Sequence, residues 1–328
     1  MNAFEFAAPT SVEDAVKLLG APDTAALSGG TDLLGRLKDY VASPKRVVYL
    51  KDIKPLGGIS GDAASGLTIG AGTNLVQLVE SKAVKEGYPA LWQSTLEVGT
   101  PQIRNMATLG GNLLQRPRCW YYHAGNGLLA MKDGKSLVRE GDNRYHAIFM
   151  TSGDALFVSP SSLAVPLIAL EAKAVVAGPK GERTVPVEEL YQVPKSEADR
   201  ELTVAPGELL TKIMIPPARG KNASYEVRQK QAHDWPLVMA SVNLRMDGEN
   251  VASSRVVVYG VAPVPYRCEA AEKAVAGKGI TVEVATAAGA AAVAGAAPLS
   301  MNAYKVALTR TAVKRALLAA ADKRYWEF

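Results

Sequence analysis

Apolar and polar positions in the first fifty residues group into two strand-to-helix units. Phe4-Glu5-Phe6 reads as a short strand. Pro9 to Gly20 reads as a helix, with Thr10 and Glu13, or Ser11 and Asp14, placed as a capping box and Gly20 at its end. Ala25-Ala26-Leu27 reads as a buried strand running into Ser28-Gly29-Gly30-Thr31-Asp32, with a helix from Thr31 onward, and residues 46–50 return as a strand. This order predicts a compact βαβαβ-like lobe.

A second lobe is expected from about Gly57. Residues 67–72 form its strand and turn, and helices follow at 74–79 and from Tyr88. From about Leu113 to Asn143 the chain is polar, glycine-rich and aperiodic, which reads as an insertion too long to be a mere connector. Regular structure is expected to resume at residues 155–158. A helix from Ser161 or Ser162 to Leu170, a hairpin across 172–186 and a strand at 209–215 stopped by Pro216-Pro217 then follow. Three apolar strands (224–228, 237–244, 254–261) precede two alanine-rich helices near 281–295 and 302–321, the order of an α+β layer. The predicted organisation is therefore α/β plus α+β. An N-terminal domain spans 1–217, with lobes at about 1–55 and 56–217 and an inserted loop at about 114–145. A smaller C-terminal α+β domain covers 222–325.

Composition narrows the functional classes. A chain of 328 residues with 48% hydrophobic and 21% charged residues has room for two cores and no sign of bulk disorder. Its net charge of +5 is too mild and too scattered for a nucleic-acid surface. Two cysteines exclude a disulfide framework and a cysteine-rich zinc site, and three histidines argue against a protein-ligated catalytic metal. No apolar run reaches membrane-spanning length, so no membrane insertion is expected. With no basic-then-apolar leader at Met1, the chain points to the cytoplasm. The periplasm stays open to a subunit exported with a signal-bearing partner.

The candidate chemistry lies in two glycine loops, Ser28 to Leu34 and Thr108 to Leu113. A Gly-Gly pair between a strand and a helix start lets backbone approach an anion closely and frees N–H groups to face it. One such loop is commonly only a turn; two of them can clamp a pyrophosphate from both sides. Neither is a G-x-G-x-x-G fingerprint or a P-loop, which leaves a dinucleotide held by another fold. No arrangement of Ser, His and Asp suggests nucleophilic catalysis, so no catalytic side chain is assigned.

Leu27-Ser28-Gly29-Gly30-Thr31-Asp32-Leu33 and Thr108-Leu109-Gly110-Gly111-Asn112-Leu113 resemble the two FAD-pyrophosphate loops of the flavoprotein subunit of molybdenum hydroxylases. Val98 to Asn105, Lys230 to Val238 and Asn302 to Arg310 are similar to the family as well, so the resemblance covers nearly the whole chain. It implies a two-lobed FAD-binding domain of the vanillyl-alcohol-oxidase type. It also implies two partners, a molybdenum-cofactor large subunit and a [2Fe-2S] small subunit whose electrons pass through FAD to an acceptor. By position, Leu27 to Leu34 (Leu27, Ser28, Gly29, Gly30, Thr31, Asp32, Leu33, Leu34) with Thr108, Gly110 and Gly111 would hold pyrophosphate and ribose, and Asn112 and Gln115 would be neighbours. Ser162 stands where the family usually has Asp. Val185, Lys230 and Leu237 fall at positions that would face the flavin, and Trp235 and Pro236 read as packing near it.

Gln115 to Tyr122 is similar to a subgroup, of the periplasmic aldehyde oxidoreductase type, whose flavin subunit carries an extra [4Fe-4S] cluster in an inserted loop. Four thiolates are needed for such a cube. With Cys119 alone in the loop, the cluster is expected to be gone and Cys119 to be a small buried hydrophobe. His123 and His146 are expected to be solvated. Two alternatives stay open: a stand-alone flavin oxidoreductase, and a scaffold subunit without flavin.

Overall fold

The computed structural model describes residues 1–327. The first lobe is a three-stranded parallel sheet in the order β1-β3-β2, made of β1 (Glu5–Ala7), β2 (Thr24–Leu27) and β3 (Arg46–Tyr49). Between them run α1 (Val12–Leu19) and α2 (Leu33–Lys38). Of the two capping pairs, Ser11 with Asp14 forms: the Ser11 hydroxyl accepts from the Asp14 N–H at 3.1 Å. Leu33 and Leu37, four apart on α2, bury against Val47 of the central strand and so fix the angle at which the preceding glycine loop leaves the sheet. The strand expected to be buried, β2, is only half-covered because it lies at the sheet edge.

The second lobe is an antiparallel sheet in the order β4-β5-β10-β8-β9. Its strands are β4 (Ile59–Asp62), β5 (Gly66–Gly70), β8 (Lys173–Gly178), β9 (Gly181–Pro186) and β10 (Leu209–Ile215). Because β5 pairs with β10, chain from either side of the insertion meets in one sheet. The core beneath is filled by α3 (Leu75–Glu80), α4 (Lys82–Gly87), α5 (Pro89–Leu96), α7 (Leu109–Leu113) and α10 (Ala164–Ala169). The exposed α6 (Pro101–Met106) lies outside it.

Three sequence expectations change here. The insertion is not aperiodic: it contains α8 (Trp120–His123), a hairpin of β6 (Met131–Lys132) and β7 (Lys135–Ser136), and α9 (Leu137–Glu140). Residues 155–158 form no strand, although Ala155, Leu156 and Phe157 are buried, and the Leu156 carbonyl accepts from Ala147 N–H. The helix expected from Ser161 starts at Ala164, whose N–H donates to the Ser161 hydroxyl while that hydroxyl donates to Asn112.

The C-terminal part is an antiparallel sheet of β11 (Lys221–Val227), β12 (Val238–Asp247), β13 (Asn250–Tyr259) and β14 (Tyr266–Arg267), in that order. It packs with α11 (Glu269–Val275), α12 (Val282–Ala291) and α13 (Tyr304–Ala320). Residues 238–244 are buried on both faces, because α13 covers one side and α10 reaches β12 from the second lobe. The alanine-rich helices approach closely: a Cβ on Gly289 would meet the Arg310 backbone. The insertion is tied to both parts of the chain. Glu197 accepts from Leu128 and Leu129 N–H at 2.7 and 2.8 Å, and the buried Lys305 ammonium donates to the carbonyls of Tyr145, His146 and Gly260 at 2.7–3.1 Å.

Candidate cofactor site

Both glycine loops open onto one cleft of about 800 Å³, near the upper end of the roughly 300–1,000 Å³ usual for ligand sites. The Ser28 and Thr108 hydroxyls lie 2.9 Å apart and join the loops directly, eighty residues apart in sequence. In the first loop Gly30 takes φ +79°, a left-handed conformation suited to glycine. Gly29 lies so close under the end of α6 that a Cβ there would fall on the Met106 carbonyl oxygen. The N–H groups of Gly29, Gly30, Thr31, Asp32 and Leu33 find no acceptor among the described residues. Such a run of free donors awaits an anion.

The second loop is built differently. Instead of a loop leading to a helix, Gly110 and Gly111 lie within α7, whose ends are anchored by the fully buried Leu109 and Leu113. Its N–H groups are occupied: Leu109 donates to Thr73, Gly110 to Ala71 at 2.7 Å, Gly111 to the Thr108 hydroxyl and Asn112 to the Thr108 carbonyl. Asn112 and Gln115 face inward. The Asn112 side-chain oxygen accepts from the Ser161 hydroxyl and Leu163 N–H, and the Gln115 amide donates to the Asn112 and Pro160 carbonyls.

Charge around the first loop is arranged by arginines. Asp32 pairs with Arg36 at 3.0 Å and Arg118 at 2.9 Å, and the Arg118 guanidinium lies over the Trp235 ring, 5.0 Å from its centroid. Arg116 pairs with the buried Glu201. Arg200 lines the cleft without an ion pair among the described residues, and burial beside Arg116 pulls its pKa down. That leaves one guanidinium beside the first loop to meet an anion.

Of the residues singled out from sequence, Ser28, Gly29, Gly30, Thr31, Asp32, Leu33, Thr108, Gly110, Gly111, Asn112, Gln115 and Ser162 line the cleft. Leu27, Leu34, Val185, Lys230 and Leu237 do not. Leu27 packs into the first-lobe core, Leu34 and Lys230 are exposed, and Val185 packs on the second-lobe core. Leu237 lines a smaller chamber of about 200 Å³ that shares Arg118, Asp234, Trp235 and Pro236 with the cleft. Arg36, Arg200, Leu202 and Glu226 also line the cleft and were not anticipated. Their placement depends on long-range packing; the charged run 195–201 carries no motif.

Cys119 sits in the smaller chamber with its Sγ 3.2 Å from His146 Nε2. His146 is buried rather than solvated, and burial together with the Lys305 charge pulls it down to about 4, so it is neutral at pH 7. His123 is partly covered and donates its Nε2–H to the Pro117 carbonyl, 3.2 Å away. Cys268 is packed in the C-terminal core, its thiol pushed up to about 12 by burial. No three His, Cys, Asp or Glu side chains among the described residues gather as metal ligands.

A parallel α/β lobe and an antiparallel lobe share a cleft edged by free backbone donors, and a smaller α+β unit follows; together these define a flavoprotein of the two-lobed FAD-binding class. The chain belongs to the family of the FAD binding domain in molybdopterin dehydrogenase, whose model matches residues 2–218. That of the CO dehydrogenase flavoprotein C-terminal domain matches 223–320. The chain is 32% identical over 279 residues to the aldehyde oxidoreductase FAD-binding subunit PaoB of Escherichia coli K12, covering 83% of this chain and 86% of the relative. Identity is 31% over 324 residues with the carbon monoxide dehydrogenase medium chain of Hydrogenophaga pseudoflava, covering 97% and 96%. A solved carbon monoxide dehydrogenase from Hydrogenophaga pseudoflava, lacking the Mo-pyranopterin moiety of its cofactor, superposes with a TM-score of 0.76 at 29% identity over 97% of both chains. Among the described residues no helix is long and apolar enough to cross a membrane.

Proposed function

We propose that this chain is the FAD-binding, electron-transferring subunit of a molybdenum-containing hydroxylase or dehydrogenase. It would work beside a molybdenum-cofactor large subunit and a [2Fe-2S] small subunit, and pass electrons on to an acceptor. The observation that carries the reading is the run of five unpartnered N–H groups at Gly29 to Leu33, set beside Thr108 by the hydroxyl contact. This fits a pyrophosphate: the first loop supplies donors, the packed turn of Gly110 and Gly111 backs it, and Ser162 offers a hydroxyl on the lining. A flavin bound there supplies the ability to accept electrons one at a time and deliver them in pairs. The chain's own residues bind it, orient it and set the charge around it. The medium-chain and FAD-subunit names of the relatives support the same partnership.

The test is isolation of the complex with its flavin content and subunits identified, followed by aldehyde and purine substrates. Flavin reduction is expected only when the partner subunits are present. Reduction by substrate with this chain alone would overturn the proposal in favour of a stand-alone oxidoreductase. A chain that purifies without flavin and takes up none on incubation with FAD would leave only a scaffold role.

A further inference from the structure

One carboxyl on the cleft lining is largely covered beside a guanidinium that it shares. Glu226, on β11, has its side chain 11% exposed, and its carboxylate meets one cation, Arg228, at 2.9 Å. That guanidinium is shared, because Arg228 also pairs with the Glu97 carboxylate at the end of α5 and donates to the Glu97 carbonyl at 3.4 Å. A third carboxylate, Asp234, comes from the connection between β11 and β12 and accepts from the N–H groups of Gln229, Lys230 and Trp235. Tyr259 on β13, with Arg118 beyond it, and the exposed His233 are the remaining charged or titratable groups around this part of the lining.

Two carboxylates thus share one guanidinium in a partly closed space, and Asp234 adds a further negative charge near Glu226. The most enclosed acid in such a group, short of positive charge, holds its proton. Burial is the main cause here, opposed by Arg228 and reinforced by Glu97 and Asp234, and together they push Glu226 up to about 8. Carboxylic acids kept neutral at pH 7 in this way are available as proton donors.

We propose that Glu226 is the proton reservoir of the cofactor cleft, carrying a proton in the resting protein, releasing it into the cleft as electrons arrive, and regaining one from solvent. The release step rests on the FAD electron-transfer role proposed above; the resting protonation does not. The balance closes: a flavin ring takes up two electrons and one proton, the proton leaves the Glu226 O–H bond, and the bonding pair stays on the carboxylate beside Arg228. The proton is then replaced from water.

Two measurements on the full chain test this. The first needs no cofactor. In the unfolded chain Glu226 titrates near 4.5 and in the folded chain near 8, so the folded state binds an extra proton between these values. Its contribution to stability is present at low pH and is lost as pH rises through that window. Glu226→Gln, which keeps the shape of the neutral acid, is expected to match wild type in Tm at pH 5 and exceed it at pH 9. The second follows flavin absorbance during reduction of the FAD-loaded chain by dithionite. The wild-type rate is expected to fall as pH passes about 8. Glu226→Gln is expected to be slower by at least about tenfold below that pH, a conservative share of what general acids contribute, and to lack the step. Glu97→Gln, which leaves Arg228 to Glu226, moves the step to lower pH. A Tm profile in Glu226→Gln that follows wild type, or an unchanged rate step, overturns the proposal. Failure to bind FAD would count against the cofactor role and leave the first measurement decisive for Glu226.

Discussion

In the first glycine loop five consecutive N–H groups meet no acceptor among the described residues. In the second, the N–H groups from Leu109 to Asn112 are taken by Thr73, Ala71 and Thr108. Both loops carry Gly-Gly followed by a polar residue, Thr31 or Asn112, and both border the same cleft. The glycines nevertheless do different work. At Gly29 the missing side chain lets the loop slide under the Met106 carbonyl while its donors stay free, whereas at Gly110 it lets α7 lie against Ala71. In the function proposed above, one loop is the ligand seat and the other is a packed wall that the seat leans on. A Gly-Gly pair alone does not say which, because the difference is made by the acceptors that tertiary packing places nearby.

The sharpest way to break that comparison is to fill each glycine. Gly29→Ala places a methyl group on backbone that cannot give way, so the seat shifts from Thr108 and FAD affinity falls by about 100-fold, or about 2.7 kcal/mol. Fluorescence titration of FAD into the apo chain measures it. Gly110→Ala puts the added carbon 2.9 Å from the Ala71 Cβ. Overpacking of this kind costs about 1–3 kcal/mol of folding stability, and the expected loss appears in denaturant unfolding with affinity changed by less than about tenfold. If Gly110→Ala lost cofactor while keeping its stability, the wall would be a seat after all.

A second test concerns Asn112, which sequence resemblance placed near the cofactor and whose side-chain oxygen the structure uses to hold Ser161 and Leu163. Asn112→Ala leaves a buried N–H and a buried hydroxyl without their acceptor, a cost of about 2 kcal/mol. Urea unfolding is expected to register that loss while FAD affinity stays within about threefold, well under 1 kcal/mol. A large drop in affinity without loss of stability would return Asn112 to direct contact.

Legibility followed the range of the interaction. The glycine loops, the α/β lobe, the antiparallel hairpin and the strands-then-helices order of the C-terminal part were readable because each depends on local period, turn chemistry or capping. The family was readable because several short motifs occur in order. What escaped was set at a distance. The position of His146 is decided by Lys305 from α13 and by Cys119, and the cleft-facing role of Glu226 by Arg228 and Glu97. Val185, Lys230 and Leu237 sit on strands or connections whose alternation gives a face without saying which cavity that face meets. The insertion hid short elements because two- and four-residue pieces carry no period.

The smallest expected effect bears on what couples the seat to the wall, the 2.9 Å contact between Ser28 and Thr108. Ser28→Ala removes one hydrogen bond from a partly covered site and is expected to cost about 1 kcal/mol. Thr108→Ala removes the same contact and also the cap on Gly111 N–H, adding about 1 kcal/mol more. Because they share one bond, the double variant is expected to lose less than the sum, by about 0.5–1.5 kcal/mol. Running the cycle on both unfolding and FAD titration separates the two roles. Coupling in stability alone would make the contact a brace between lobes. Coupling in affinity as well means that the free donors of Gly29 to Leu33 are aimed by the wall, which is what the geometry predicts. Strict additivity in both would mean that each loop finds its position independently, and the link between them would fall away.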